Sequence, residues 1–178
     1  RSSDLGVYDM SGNVYEWVND IYDNMYYVNS PVDNPKGAEK GDNRVIRGGD
    51  IESKIKTFDT ERIPKNDGDI YVRKSASYLY SSYYLGFRVV YDNPKLINKS
   101  VIQEKELDLD NKMVFVSGNM TSMGYLIGEE SEKPYQQVYV NEFYIGKYEV
   151  TYGEYSKFVK STNYITRAEK DSFSYVLD

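Results

Sequence analysis

Ser75-Ala76-Ser77-Tyr78-Leu79-Tyr80-Ser81-Ser82-Tyr83-Tyr84 gathers phenols and small hydroxyls into one run. Phenol rings give wide, stiff contact area, and serine hydroxyls both donate and accept, which is the mixture that binding loops use. Tyr78, Tyr80, Tyr83 and Tyr84 are therefore candidate ligand-binding residues, provided they share an exposed face; ordinary loop packing is the competing reading. The chain holds 20 Tyr against 6 Phe and 1 Trp, so an A/T-rich genome that favours Tyr, Asn, Lys and Ile also accounts for such a run. Other chemistries are closed. With no His and no Cys, the chain cannot build an imidazole base, a thiolate nucleophile, a disulfide or a nitrogen–sulfur zinc site. Any metal must be a hard ion on oxygen ligands. The 22 Lys and Arg are dispersed among 28 Asp and Glu, for a net charge of -6, so no basic surface is expected for nucleic acid.

The elements that must position these residues are short. Residues 1 to about 92 alternate small apolar patches with Gly, Asn, Asp and Pro, the pattern of short strands in a loop-rich fold. Val14, Glu16 and Val18 alternate with Tyr15 and Trp17, predicting a strand, and 86–90 reads as a second. Turns are predicted at Asn29-Ser30-Pro31, Asn34-Pro35 and Asn66-Asp67-Gly68-Asp69. Residues 93–111 are mostly polar and read as a linker with room for a helical turn. Asp108 and Asp110 resemble the start of a calcium loop but lack its mid-loop glycine and closing glutamate, so a solvated linker is expected. Residues 112–178 offer strands at 113–116, 137–140 and 143–150, then a helix opened by a Thr151/Glu154 capping box. Behind it, Tyr155, Phe158 and Val159 form an apolar stripe expected to pack in the core. Residues 162–178 show no closing element. No apolar run approaches a membrane span.

Three motifs follow in order in the first block: Leu5-Gly6-Val7-Tyr8-Asp9-Met10-Ser11-Gly12-Asn13-Val14-Tyr15-Glu16-Trp17, Arg44-Val45-Ile46-Arg47-Gly48-Gly49, and Leu85-Gly86-Phe87-Arg88-Val89-Val90. Together they resemble the C-terminal half of a formylglycine-generating-enzyme (sulfatase-modifying-factor) domain. Met113-Val114-Phe115-Val116 through Met123-Gly124 to Lys147-Tyr148-Glu149-Val150-Thr151 is similar to the N-terminal half of the same domain. The resemblance implies the α+β, irregular and loop-rich C-type-lectin-like fold of that family. It implies two partial domains, 1–92 and 112–178, or a permuted assembly. A permutant would keep the middle of the domain, so a fragment across two tandem domains is the preferred arrangement, with association between the half-domains through edge strands still open.

Catalytic relatives oxidise a substrate cysteine with oxygen, using two cysteines of their own that bind copper shortly after Arg-Gly-Gly. Counted from Gly49, those positions fall at Ser53 and Phe58. A serine hydroxyl is a poor soft-metal ligand and a phenylalanine is none, so neither copper nor oxidase activity is expected. The resemblance also implies one structural calcium, held by Asp9, the carbonyls of Gly12 and Val14, and Glu16. The alternative is that Asp9 caps a turn and Glu16 pairs with Arg44, Arg47 or Arg88. Arg47, Arg73 and Arg88 match family arginines and are expected to tie carbonyls and carboxylates together. The sequons at Asn98 and Asn119 are read as chance. The function expected is a non-catalytic binding or scaffold module of a bacterial protein, with a protein or small molecule on the 50–84 surface. Two alternatives remain: part of a larger enzyme whose other domain copy modifies sulfatases or oxidises thiols, and a lectin-fold protein with a variable Tyr/Ser face. Missing disulfides leave the compartment open, and an exported parent would carry its signal upstream of Arg1.

Overall fold

The computed structural model describes residues 3–52, 70–92, 109–172 and 175–176. Ser53, Phe58, the Asn66–Asp69 turn, the Asn98 sequon and most of the 93–111 linker lie outside them. The architecture is α+β and sheet-rich, with few helices.

A four-stranded sheet is built by β1 (Tyr15–Ile21), β2 (Asn43–Arg47), β3 (Lys74–Ser77) and β5 (Leu85–Gly86), in the order β3-β2-β1-β5. β1 and β2 run antiparallel, with Glu16 opposite Arg47 and Trp17 opposite Ile46, while β5 lies parallel to β1 and sets Gly86 opposite Glu16. β2 and β3 are antiparallel, so Lys74 meets Ile46 and Ser75 meets Val45. Residues directly opposite share a face. One face of this sheet therefore carries Tyr15, Trp17, Ile46 and Lys74.

β6 (Val90–Tyr91), β7 (Met113–Val116) and β10 (Phe143–Gly146) form a second sheet in the order β6-β10-β7. It joins the two blocks, because β6 belongs to the first and pairs antiparallel with β10 of the second, Tyr91 to Tyr144 and Val90 to Ile145. β8 (Asn119–Met123) and β9 (Gln136–Val140) make a hairpin. β4 (Tyr80–Ser81) pairs in parallel with β11 (Tyr175–Val176).

The strand expected over 86–90 is divided. Leu85 and Gly86 bond to β1 and Val90 and Tyr91 to β10, so the chain changes sheets at 87–89 and turns Arg88 inward. The strand expected over 143–150 stops at Gly146, where the chain bends so that Tyr148 stacks on Tyr8 at 4.8 Å and the Val150 N–H donates to the Phe87 carbonyl at 2.9 Å.

Short helices α1 (Tyr26–Asn29) and α2 (Leu109–Lys112) lead to a longer helix, α3 (Tyr152–Thr162). Its capping box is as expected: Thr151 Oγ1 accepts from the Glu154 N–H at 3.3 Å, and Glu154 accepts from the Thr151 N–H at 3.0 Å. The apolar stripe departs from expectation, since no residue of α3 is buried and Phe158 is 46% exposed. Its ring lies 6.2 Å from Tyr155 and 5.4 Å from Tyr164, and Tyr155 itself meets Phe87 edge-on at 6.3 Å, so the stripe is half covered. A second capping box at Thr166 and Glu169 opens α4 (Arg167–Asp171), which with β11 closes a region that carried no clear element in the sequence.

Among the described residues the buried apolar side chains are Val7, Tyr27, Val45, Ile46, Val72 and Val138. Buried polar groups pack beside them. Arg73, 5% exposed, donates from Nη1 to the Ser131 carbonyl at 2.8 Å and lies 4.4 Å from the Tyr27 ring centroid. Glu132, 1% exposed, accepts from the Glu129 N–H within a 3-10 turn at Glu130–Glu132. That turn is fixed from both sides: a Cβ on Gly124 would sit 2.1 Å from the Pro134 carbonyl oxygen, and Tyr125 stacks on Tyr71 at 4.0 Å.

Candidate functional site

The turn from Asp9 to Glu16 is set by backbone conformation. Asp9 and Asn13 take left-handed φ of 53° and 71°, a region that Asn and Asp tolerate because their short polar chains bond locally. The Gly12 N–H donates to the Gly48 carbonyl at 2.7 Å, and the Ile51 N–H to the Asn13 carbonyl at 3.2 Å, so the turn is laid against the Arg-Gly-Gly passage.

Glu16 leaves this turn on β1 and meets Arg88. The Arg88 Nε donates to Glu16 Oε1 at 2.9 Å and Oε2 at 2.8 Å, and its Nη2 also reaches Oε1. The remaining donors cross to other segments: Nη2 to the Tyr8 carbonyl at 3.0 Å, and Nη1 to the carbonyls of Gly146 at 3.1 Å and Lys147 at 3.3 Å. Glu149 lies 3.6 Å from Arg88 Nη2 and accepts from Asn13 Nδ2 at 2.9 Å. Of the three arginines that could pair with Glu16, Arg88 does so. Arg44 donates to the Asn19 carbonyl, and Arg47 is committed to the Ile70 and Val72 carbonyls and the Tyr27 hydroxyl. One guanidinium thus joins the turn, β1 and the bend after β10.

Asp9, Gly12, Val14 and Glu16 are the residues that would hold a hard cation at this turn. All four supply oxygen, which suits calcium. A carboxylate offers about four lone-pair positions. Arg88 takes two on Oε1 and one on Oε2 of Glu16, leaving one position on Oε2. The Asp9 carboxylate is near enough to Tyr148 to help raise its phenol pKa, after partial desolvation and the Tyr8 hydroxyl. Asp9 and Glu16 are of the type that holds hard cations, but Arg88 already occupies most of the Glu16 carboxylate. Among the described residues no group of three or more acidic, His or Cys side chains converges on a metal position, so the charge offered is low.

A cleft of about 480 Å³ opens on the other side of β1, lined by Tyr15, Ile46, Asp50, Lys74, Ser75, Ala76, Ser77, Tyr80, Ser82, Tyr84 and Leu85. Its lining joins apolar and aromatic side chains to hydroxyls and charges of both signs. Lys74 Nζ donates to the Tyr15 hydroxyl at 2.8 Å, and the Tyr84 hydroxyl donates to Glu52 at 3.1 Å. That hydrogen bond, and then the charges of Glu52 and Asp50, raise the Tyr84 phenol pKa. The Tyr15 N–H donates to the Tyr84 carbonyl at 2.7 Å, fastening the loop to the start of β1.

The four candidate tyrosines separate. Tyr80 and Tyr84 line the cleft, Tyr83 is 87% exposed outside it, and the Tyr78 ring lies 4.4 Å from the Arg167 guanidinium. Tyr15, Ile46 and Lys74 were missed because strand register delivers them. The signal available was the alternation of Tyr15 and Trp17, which puts both rings on the face shared with Ile46.

The sequence model of the sulfatase-modifying factor enzyme 1-like domain matches residues 1–93 and 98–175. The formylglycine-generating enzyme of Bos taurus is 39% identical over 70 residues, 38% of this chain and 19% of that protein. The formylglycine-generating enzyme of Streptomyces coelicolor is 41% identical over 49 residues, 28% of this chain and 16% of that protein. The serine/threonine-protein kinase Pkn1 of Chlamydia trachomatis is 52% identical over 50 residues, 27% of this chain and 8% of that protein. The chain therefore spans less than a fifth of each of these relatives. No solved structure matches. Carrying the three first-block motifs and matched by the family model over almost its whole length, the chain belongs to the formylglycine-generating-enzyme (sulfatase-modifying-factor) domain family.

Proposed function

We propose that this chain is a binding module of its family that does not oxidise thiols, and that its ligand lies in the Tyr15–Tyr84 cleft. The observation that carries the reading is the cleft itself. Three tyrosines, Tyr15, Tyr80 and Tyr84, line it together with the apolar Ile46, Ala76 and Leu85 and the polar Ser75, Ser77, Ser82, Asp50 and Lys74. Pockets that bind small molecules or side chains of partners join apolar area to a few placed polar groups in this way. The rings supply area at low entropic cost, and the hydroxyls, carboxylate and ammonium fix orientation. With Ser53 and Phe58 at the positions of the copper-binding cysteines, and no cysteine elsewhere in the chain, it has no thiolate to carry the oxidation.

The loop-rich arrangement is read as C-type-lectin-like, and the blocks as halves of two tandem domains that associate through β6 and β10. Calcium on Asp9, Gly12, Val14 and Glu16 would be structural, cross-linking the turn to β1 beside Arg88. A second reading, in which this chain belongs to a larger enzyme that modifies sulfatases or oxidises thiols through another domain copy, is favoured by the small share of its relatives that it spans.

The test is a thermal-shift screen of the full chain against a fragment library, repeated with Tyr84→Ala and with Tyr83→Ala, beside an oxidation assay on a cysteine-containing peptide with oxygen and copper. Binders lost in Tyr84→Ala and kept in Tyr83→Ala, with no peptide oxidation, are expected. Turnover of the peptide overturns the non-oxidising part of the reading, and binders indifferent to Tyr84 overturn the site.

A further inference from the structure

We infer that the C-terminal segment of the chain is the closing element of the cleft: Arg167 and β11 hold the 78–82 loop, which supplies one of its walls. The inference rests on the ligand reading above and adds how that site is completed.

Tyr80 and Ser82 line the cleft, yet among the described residues β4 has no strand partner within the first block. Among the described residues its strand partner is β11, with Tyr175 opposite Tyr80 and Val176 opposite Ser81. A two-residue ladder is marginal by itself. The added hold is on Tyr78, whose ring lies 4.4 Å from the Arg167 guanidinium. Arg167 is itself steadied, since its Nε donates to Asp171 Oδ2 at 3.1 Å, one turn along α4. The start of α4 is fixed by the Thr166 N–H donating to Glu169 at 2.7 Å.

One end of the cleft wall is therefore set inside the first block, where Tyr84 bonds to Tyr15, and the other from the far end of the second block. A segment held in part by contacts from a distant stretch of chain opens locally when those contacts are lost, at a fraction of the global cost. Loss of the second-block anchor frees Tyr80 from its place in the wall while the four-stranded sheet stays intact. Arg167 is thus a positioning residue, outside the lining of the cleft, and docking of the second block is a condition for a complete site.

The test is amide hydrogen exchange on the full chain, which needs no ligand. Arg167→Met keeps the apolar stem and removes the cation over the Tyr78 ring. A cation–π contact at an exposed site is worth a two- to fivefold change, so exchange at 78–82 is expected to quicken by roughly that factor. Exchange in β1 and β2 should be unchanged, Asp171→Asn should act in the same direction and more weakly, and Lys160→Met on α3 should do nothing. Unchanged exchange at 78–82 in Arg167→Met overturns the inference, as does a rise shared equally by β1 and β2, which would mark general destabilisation. If exchange quickens locally while cleft variants leave every binder unaffected, the closing element stands and the ligand reading alone falls.

Discussion

Replacing Arg88 by methionine should be among the most damaging single changes available in this chain. The side chain is 3% exposed and faces Glu16, whose own side chain is 12% exposed, so the change leaves a carboxylate shielded from water with no countercharge. It also strips the donor from the carbonyls of Tyr8, Gly146 and Lys147. Breaking a buried pair by removing one partner costs about 3–5 kcal/mol, most of it from the charge left behind. At about 2–4 °C per kcal/mol for a chain of this size, the midpoint should fall by roughly 6–20 °C. Trp17, on β1 beside Glu16, reports the transition by fluorescence in urea or on heating. Arg88→Lys should recover only part of the loss, because an ammonium can serve Glu16 but cannot fork to three carbonyls as well. Arg88→Met with Glu16→Gln should cost less than the sum of the single changes, since the stranded charge is gone. A cost below about 1 kcal/mol for Arg88→Met, with cooperativity unchanged, would refute the argument that this guanidinium holds the two blocks together.

Three further outcomes are expected. Glu154 is held at about 2 by the Thr151 N–H, then Lys112 and the Thr151 hydroxyl. A lowered folded pKa means its contribution is full above the ordinary 4.5 and lost as pH falls toward about 2. Glu154→Gln should therefore cost up to about 1 kcal/mol near neutrality, the scale of an N-terminal cap, and nothing below that window, as read by urea unfolding across pH. Asp20 is shifted the other way, because burial raises its pKa more than Arg73, Arg47 and Arg44 lower it. Its folded state holds the proton more tightly, so its contribution is full below the ordinary 3.8 and lost as pH rises through the raised value. Asp20→Asn should not lower stability at pH 7 and should flatten the acid side of the profile. Calcium at ten times its dissociation constant should add about 1.4 kcal/mol by linkage, and Glu16→Gln should abolish that increment whatever its own effect on the midpoint. An increment that survives Glu16→Gln places the ion elsewhere.

Local rules reached part of this structure. Thr151 with Glu154 predicted the start of α3 because a capping box is decided within four residues, and the same rule, applied to Thr166 and Glu169, would have found α4. Glu16 was narrowed to three arginines by charge and motif, but the choice of Arg88 needed the sheet change at 87–89, which depends on β10 from the other block. Tyr80 and Tyr84 were legible as part of a Tyr/Ser run. Their partners Tyr15, Ile46 and Lys74 were not, since they reach the cleft through the registers of three strands. The Tyr155, Phe158 and Val159 stripe had helical spacing, which shows that a helix has an apolar side and not how far it is covered: Tyr155 meets Phe87 edge-on, while Phe158 stays 46% exposed.

A ligand in the cleft between Tyr15 and Tyr84, as proposed above, must disturb the backbone of the residues that line it. The most direct measurement is a set of amide NMR spectra of the full chain titrated with the binders from the thermal screen. Shifts concentrated on Tyr15, Lys74, Ser77, Tyr80, Tyr84 and Leu85 are expected, with the β8–β9 hairpin silent. Shifts centred away from the cleft, or binders that move no cleft amide, would contradict the account.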